Sequence, residues 1–381
     1  MPSFISARVR AYAASRLRLG IDVGASGLRL VALAHDRNQG WTVVHCAHAA
    51  LLARPSTALP DEDSDEHAAD AAGALRRVLA AIGCGARQAV LALPWARIQL
   101  LRLERPAGLA GGALAAHLLA QARARLDYPL DLACTDFDER AVSRPEAADL
   151  WLVAARRALL MDRIALAAAA GLDAVAVDGD VFAACRAAER VSRDPQLWID
   201  AAASGSVSSP APAPAPAPAP VPVPSVLVDL GWRAIRLLPL AEAEWGRSGS
   251  QALHGPAWLE RLAQAGHCTT DEVALRIEAG DWRSAETVAG RQVVHDLAAA
   301  IAALLAASAV PSGGAVWLSG AAAALPLLPS AVEAATGCRC RVLDPFAGMT
   351  VAAQAGLSRV PGASAAYAVA CGLALHGTRG A

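Results

Sequence analysis

Two Asp-x-Gly sequences follow apolar runs and are the first candidates for chemistry in this chain: residues 22–24 and 229–231. A strand that ends in Asp-x-Gly and turns through small residues presents backbone N–H groups to an anion. Its carboxylate can hold a hydrated Mg²⁺ beside a phosphate. Asp before Gly is also a common turn-former, so one copy alone would indicate only a turn. Two such turns facing each other would form a nucleotide clamp.

The stretches around the two turns repeat one another. Residues 21–33 align with residues 228–240, so that Asp, Gly, Arg and Leu recur in register with apolar residues between them. Each copy has the pattern of a buried strand, a tight turn and a second strand, which predicts a hairpin. A duplicated hairpin indicates duplicated domains.

The elements that would position these turns alternate between strands and helices, which is typical of an α/β fold. Helices are predicted at about 67–82, 109–126, 159–170, 256–265, 270–279, 285–307, 327–336 and 364–376. Further strands are predicted at about 41–45, 89–93, 98–103, 135–138, 151–155, 174–177, 315–319 and 339–343.

A proline-rich run divides the chain. Pro alternates with Ala or Val from Pro210 to Pro224, which favours extended polyproline II over helix or sheet. We interpret this run as a spacer. The alternative is a Pro-rich ligand for another domain, but the run lacks the aromatic or basic anchors that such ligands carry.

The composition excludes several classes of protein. The 34 basic and 35 acidic residues give a net charge of -1 with no long basic block, so no nucleic-acid partner is expected. Every basic residue is Arg, which excludes a P-loop GK[ST] motif and a pyridoxal phosphate Schiff base. The 8 Cys are scattered without CxxC spacing, which favours a reducing cytoplasm.

No signal peptide or transmembrane segment is expected. The first 18 residues have no apolar region of useful length, so we interpret residues 1–18 as a leader. A weakly amphipathic segment that touches anionic lipid is the alternative for these residues. The uncharged stretch 297–332 is interrupted by Pro and Gly, and its first part predicts a buried helix. We therefore expect a soluble protein.

The ordered set of motifs is more specific than any single one. It comprises residues 21–26, 126–130, 135–137, 170–178, 228–231, 318–320, 343–349 and 368–375. This order resembles the actin-like ATPase superfamily and, within it, the PilM family of type IV pilus assembly.

The resemblance implies an α/β fold with duplicated actin-like (ribonuclease H-like) domains, a cleft between two lobes and a small inserted subdomain in the first. The implied division is a leader at 1–18, a first lobe at 19–203 with the inserted subdomain at about 84–155, a Pro/Ala-rich linker insertion at 204–225, and a second lobe at 226–381.

The resemblance also implies ATP and Mg²⁺ as cofactors. The cofactor-binding residues that it implies are Asp22, Gly24, Ala25, Ser26, Asp229, Gly231, Gly255 and Gly320. Asp22 and Asp229 would hold Mg²⁺ indirectly, through water. We assign no catalytic residue, because no residue of the sequence stands out as one that activates water.

The second turn departs from the family pattern. After Gly231 the family has small residues and Thr, whereas this chain has Trp232, Arg233 and Ala234. Their bulk would fill the phosphate space, although Arg233 could instead contact a phosphate directly. We therefore expect degenerate ATP binding, with weak or absent ATPase activity.

The family further implies a cytoplasmic scaffold and coupling protein of the inner-membrane pilus platform, associated with the inner face of the cytoplasmic membrane. A groove in its first half would bind the cytoplasmic N-terminal tail of PilN as an extended segment. The pilus motor ATPases and the platform protein are further expected partners. The alternative function is a sugar-type kinase of the same superfamily, which needs a catalytic Asp and intact phosphate turns.

Overall fold

The computed structural model describes residues 17–24, 27–36, 38, 40–49, 51, 65–109, 111–137, 149–193, 225–231, 234–240, 248–252, 258–278, 281–308, 314–358, 360 and 362–377. The chain divides into two compact units. The first comprises Met1–Ala183 with Val369–Arg379, and the second comprises Ala184–Ala368 with Gly380–Ala381.

The described part of the first unit contains eight strands and three complete helices. The strands are β1 Leu17–Gly24, β2 Gly27–Asp36, β3 Gly40–Ala49, β4 Gln88–Leu93, β5 Ile98–Glu104, β6 Ala133–Phe137, β7 Asp149–Arg156 and β8 Asp173–Gly179. The helices are α1 Asp65–Ile82, α2 Gly111–Arg123 and α3 Arg157–Ala169, and α4 Asp180–Ser192 begins in this unit.

The main sheet of the first unit has strand order β3-β2-β1-β4-β8. The hairpin neighbours β1, β2 and β3 pair antiparallel, whereas β4 pairs parallel with both β1 and β8. One face packs against α1 and α3, where Leu75 and Leu166 join a buried cluster with Leu19, Ile21 and other strand residues. The parallel strands β4 and β8 are buried on both faces, which explains why they are continuous apolar runs rather than alternating ones.

A small antiparallel sheet follows β4 within the first unit. Its strand order is β5-β7-β6, and α2 packs against one face of it. The family resemblance implies an inserted subdomain at about 84–155, whereas the small sheet spans residues 98–156. The difference arises because β4 is a central strand of the main sheet, paired on both sides.

The second unit repeats the main architecture of the first. Its strands are β9 Val226–Leu230, β10 Ala234–Pro239, β11 Gly249–Ala252, β12 Ala315–Ser319, β13 Arg339–Val342 and β14 Thr350–Val351. The sheet order β11-β10-β9-β12-β13 has the same antiparallel hairpins and parallel pairs as β3-β2-β1-β4-β8. The predicted duplication of an α/β domain is thus confirmed.

The helices of the second unit are α5 Trp258–Ala265, α6 Thr270–Glu278, α7 Arg283–Glu286, α8 Val288–Ala307 and α9 Leu328–Thr336. Local sequence fixes their starts. Thr269 and Glu272 form a capping box at α6, with the Thr269 amide donating to Glu272 at 2.8 Å. The Thr287 hydroxyl accepts from the Gly290 amide at the start of α8.

The last helix, α10 Ala368–Ala374, groups with the first unit from Val369 onward. The sequence analysis places this segment in the second lobe. The structure differs because Gly20 of β1 and Gly372 allow close backbone approach to Ala370 and Ala183 respectively. Leu373 then packs with Val90 and Val175 on the face of the main sheet opposite α1.

The predicted strands and most predicted helices are confirmed within a few residues. Gly171 ends α3 with a positive φ of 79°, as expected for a glycine after a helix. Three elements were missed, namely α4 and the short strands β11 and β14, and α7 and α8 were predicted as one helix. The predicted helix at 364–376 is partly a 3₁₀ turn, Ala363–Tyr367, before α10. The Pro-rich run and residues 1–16 of the predicted leader lie outside the described residues, whereas Leu17 and Arg18, which the leader was predicted to include, belong to β1.

One helix of the described residues, α8, is long and apolar enough to cross a membrane by length and composition alone. The mean hydropathy reaches 1.3 in an 18-residue window of this 20-residue helix. However, Val293, Leu297, Ile301 and Leu305 of this helix lie in the buried core of the second unit. This burial is the property of a core helix of an α/β domain.

Candidate functional site

The first Asp-x-Gly turn joins β1 to β2. In this antiparallel pair Asp22 lies opposite Arg29 and Gly24 lies opposite Gly27. Asp22 and Gly24 are half-buried. The predicted site residues Ala25 and Ser26 lie outside the described residues.

Space in front of Gly24 is open. Among the described residues, no heavy atom lies within 4 Å of a Cβ built on Gly24. The packing of the described chain therefore does not explain a glycine here. A glycine is favoured where a backbone N–H must approach a phosphate closely, and this turn fits such a ligand.

The second Asp-x-Gly turn joins β9 to β10. Asp229 lies opposite Arg236, which is the register of Asp22 and Arg29 in the first hairpin. The Gly231 amide donates to the Ala234 carbonyl at 3.0 Å and closes the turn. Trp232, Arg233 and the predicted site residue Gly255 lie outside the described residues.

Asp229 is buried, with 7% of its surface exposed, and both of its carboxylate oxygens have protein partners. Arg236 Nη1 lies 3.3 Å from Asp229 Oδ2. The Ser319 hydroxyl donates to Asp229 Oδ1 at 2.9 Å, and Ser319 is fully buried. Arg236, Asp229 and Ser319 thus form a row across the neighbouring strands β10, β9 and β12.

Protein packing accounts for the glycines of this second site. A Cβ on Gly231 would lie 3.1 Å from the Ala234 carbonyl oxygen. A Cβ on Gly320 would overlap the Leu230 carbonyl, and Gly320 has a φ of 88°. Gly320 is therefore required by the fold of the second unit whether or not a ligand binds, whereas a side chain at Gly231 would need the turn to shift by a few tenths of an ångström.

The two turns differ in their fit to a Mg²⁺-nucleotide. The first offers a half-buried carboxylate and open space at Gly24. At the second, both oxygens of the buried Asp229 are engaged, one by the Arg236 guanidinium and one by the Ser319 hydroxyl. The role of Asp229 in holding Mg²⁺ through water therefore stays a prediction from the sequence.

A buried polar pair lies at the carboxyl end of β8. His376 Nδ1 is 2.9 Å from Asp178 Oδ2, and the two side chains are 4% and 0% exposed. Asp178 pairs with Ala92 of β4, so it lies on the same edge of the main sheet as the end of β1. Sequence analysis missed this pair, because 198 residues separate its members.

The small sheet of the first unit has one covered face and one partly open face. Leu103, Leu150 and Leu152 pack against α2. By strand alternation, Leu100 and Trp151 belong to the opposite face, where both are half-buried.

The end of β7 is linked to the turn that precedes β6. The Arg156 guanidinium lies 4.4 Å from the centre of the Tyr128 ring. Burial raises the pKa of Tyr128, and the nearby Asp127 raises it further.

Two solved structures resemble the whole chain. The first is the PilM-PilN type IV pilus biogenesis complex, with a TM-score of 0.66, 18% identity, and coverage of 95% of this chain and 98% of that chain. The second is the ethanolamine utilization protein EutJ from Carboxydothermus hydrogenoformans, with a TM-score of 0.51, 13% identity, and coverage of 95% and 90%. At these identities they show the fold alone, which is the actin-like two-lobe fold.

The sequence model of the family described as "Type IV pilus assembly protein PilM" matches residues 20–201 and 290–378, which is more than half of the chain. The chain belongs to the PilM family. The matched residues include Asp22, Gly24 and Gly320, but not Asp229 or Gly231. The turn that contains Asp229 and Gly231 therefore lies in the part of the chain that this PilM family model does not match.

Proposed function

We propose that the chain is a scaffold and coupling protein of the type IV pilus inner-membrane platform, and that it binds the cytoplasmic N-terminal tail of PilN. Membership of the PilM family supports the role in pilus assembly. The likeness to a protein solved as a complex with PilN, over 98% of that chain, supports the choice of partner.

The observation that carries the binding proposal is the partly open face of the small sheet in the first unit. Leu100 and Trp151 are half-buried there, beside the fully buried Val153. An extended peptide gains affinity by placing a few apolar side chains against such a surface. We therefore assign the anchoring of the PilN tail to this face.

Charges near this face suit a polar rim around the anchors. Arg102 of β5 is exposed and lies opposite Trp151 in the sheet, and Asp136 of β6 lies opposite Val153. Positively and negatively charged residues at the border of an apolar patch would fix the position at which an extended peptide binds. They would contribute less to its affinity.

For nucleotide, we propose binding through the first turn without appreciable turnover. The open space at Gly24 and the half-buried Asp22 suit a phosphate with its Mg²⁺. When bound, Mg²⁺ would supply charge neutralisation of the phosphates. The internal pairing of Asp229 argues against a sugar-type kinase, which needs both turns to position Mg²⁺-ATP for transfer.

The location at the inner face of the cytoplasmic membrane follows from this partner. A chain held by the cytoplasmic tail of an inner-membrane protein is recruited to that membrane without a span of its own. The pilus motor ATPases and the platform protein are proposed as neighbours in the same assembly.

Membrane recruitment tests the proposed function in cells. The full chain is expected to sediment with membranes when PilN carries its N-terminal tail, and to remain in the supernatant when the tail is deleted. The deletion strain must still insert the rest of PilN in the membrane, which serves as the control. Equal sedimentation in both strains would contradict tail-dependent recruitment.

A further inference from the structure

We propose that the guanidinium of Arg236 takes, beside Asp229, the place of a hydrated divalent cation, so that the second turn is held closed without Mg²⁺. The proposal concerns the chain's own residues and does not depend on PilN binding. The ion pair between Arg236 and Asp229 takes the place of a contact through Mg²⁺, and it is present with or without the metal.

Burial and distance support this assignment. The Asp229 carboxylate is nearly removed from water, and a buried carboxylate requires a positive partner or several hydrogen-bond donors. Arg236 supplies the charge at 3.3 Å, and Ser319 supplies a donor at 2.9 Å. The acid is therefore neutralised within the second unit.

The pairing register of the sheet holds Arg236, Asp229 and Ser319 beside one another. Arg236 is the direct antiparallel partner of Asp229, and Ser319 is its direct parallel partner. All three side chains therefore leave the same face of one sheet at neighbouring positions. Backbone hydrogen bonds of three strands fix the distances before any ligand arrives.

The first unit provides an internal comparison. Asp22 and Arg29 have the same register there. Ile21 pairs with Leu91, so the next residue of β4, Ala92, takes the position that corresponds to Ser319. An alanine cannot donate a hydrogen bond. Asp22 also remains half-buried, whereas Asp229 is buried. The two copies of the motif have therefore diverged, and only the second combines burial with the serine donor.

The family match is consistent with this divergence. The matched segments end at residue 201 and resume at residue 290, so they omit β9, β10 and the turn between them. The sequence there has also replaced the small residues after Gly231 by Trp232 and Arg233.

The test uses thermal unfolding of the full chain in millimolar MgCl₂ or in EDTA, with and without ATP. Every protein in the test carries Asp22→Asn, which removes the carboxylate of the first turn, so that any response to Mg²⁺ comes from the second. The proposal predicts that Mg²⁺ does not change the Tm of Asp22→Asn. It also predicts that Asp22→Asn with Arg236→Gln melts roughly 5–10 °C lower in EDTA, because a buried carboxylate loses its partner.

Magnesium should then partly restore the Tm of Asp22→Asn with Arg236→Gln, since the carboxylate again needs a cation. Adding Asp229→Asn to this protein should remove the response. Arg236→Lys, also made in the Asp22→Asn protein, keeps the positive charge beside Asp229, so its Tm should not change with Mg²⁺. This variant can be measured even if the Gln variant does not fold. The proposal would be overturned if Mg²⁺ raised the Tm of Asp22→Asn and the further substitution Asp229→Asn abolished that rise. It would also be overturned if the Arg236→Gln variant folded and its Tm did not change with Mg²⁺.

Discussion

Asp229 lies directly opposite Arg236 in the hairpin of β9 and β10, with 3.3 Å between the guanidinium and the carboxylate. Asp22 and Arg29 occupy the matching positions of the first hairpin. The chain therefore keeps one aspartate–arginine register in both copies of its duplicated domain, while the burial and the third partner differ.

Ser319→Ala tests the contribution of the third partner. The variant leaves the buried Asp229 Oδ1 without its 2.9 Å donor, which should lower the free energy of unfolding by about 1–3 kcal/mol. Urea unfolding measures the loss. Ser330→Ala is the matched control, because Ser330 is exposed on α9 and should change little. Equal effects of the two substitutions would show that the hydroxyl of Ser319 adds nothing to stability.

Gly24→Ala and Gly320→Ala should separate a ligand-facing glycine from a packing glycine. A Cβ on Gly24 meets open space, so the Tm should stay nearly constant, while the stabilisation by Mg²⁺-ATP should fall. A Cβ on Gly320 overlaps the Leu230 carbonyl at positive φ and should destabilise the chain by about 2 kcal/mol. Thermal unfolding with and without Mg²⁺-ATP measures both. Unchanged nucleotide stabilisation in Gly24→Ala would contradict binding at the first turn.

Gly372→Ala should destabilise the first unit. Its Cβ would overlap the Ala183 carbonyl, so α10 would have to move away, at a cost of about 1–3 kcal/mol or more. Gly112→Ala is the opposite case, since Gly112 is an exposed position of α2 with open space around it, and should stabilise by about 0.5–1 kcal/mol. Denaturant midpoints compare the pair. A neutral Gly372→Ala would argue against the close contact of α10 with α4.

Asp296 should give a measurable pH dependence. The Arg261 guanidinium on α5 lowers the pKa of Asp296 on α8 from its usual 3.8. A lowered folded-state pKa contributes stability above the unfolded pKa, and that contribution is lost as the pH falls through the folded pKa. Because both side chains are partly exposed, Asp296→Asn should cost only about 0.5–1 kcal/mol near neutral pH.

The difference between Asp296→Asn and the wild type should shrink as the pH falls below 3.8 and through the lowered folded-state pKa, in urea unfolding at a series of pH values. Arg261→Gln serves as the partner control and should reproduce the neutral-pH loss. A difference that stays constant across the acid range would mean that the ion pair does not set the acid sensitivity of this helix contact.

The sequence predicts the fold well where local pattern and tertiary packing agree. The hairpin at Asp22 and its copy at Asp229 follow from apolar alternation, and the glycine that ends α3 follows from its position. The membership of α10 in the first unit could not be predicted, because it depends on the contact of Gly20 with a helix about 350 residues later. α4 was missed because its apolar residues run on from the buried strand β8.

The candidate site was predictable in its residues but not in its chemistry. Asp229 and Gly231 are visible as a motif, and the recurrence of Arg in register is visible too. That Arg236 and Ser319 engage both oxygens of Asp229 depends on the pairing of β9 with β12, which joins residues 90 positions apart. The sequence shows that the residues after Gly231 depart from the family pattern, but the engagement of both oxygens of Asp229 appears only in the folded structure.

The central claim is tested most directly by fluorescence anisotropy of a labelled N-terminal tail peptide of PilN, titrated with the full chain. We expect saturable binding that a scrambled peptide does not show. Leu100→Glu should abolish it by placing a charge on the proposed anchoring face. Leu132→Glu should leave it intact, since Leu132 is a half-exposed leucine of the same small-sheet region. No saturable binding of the tail by the wild type would contradict the account.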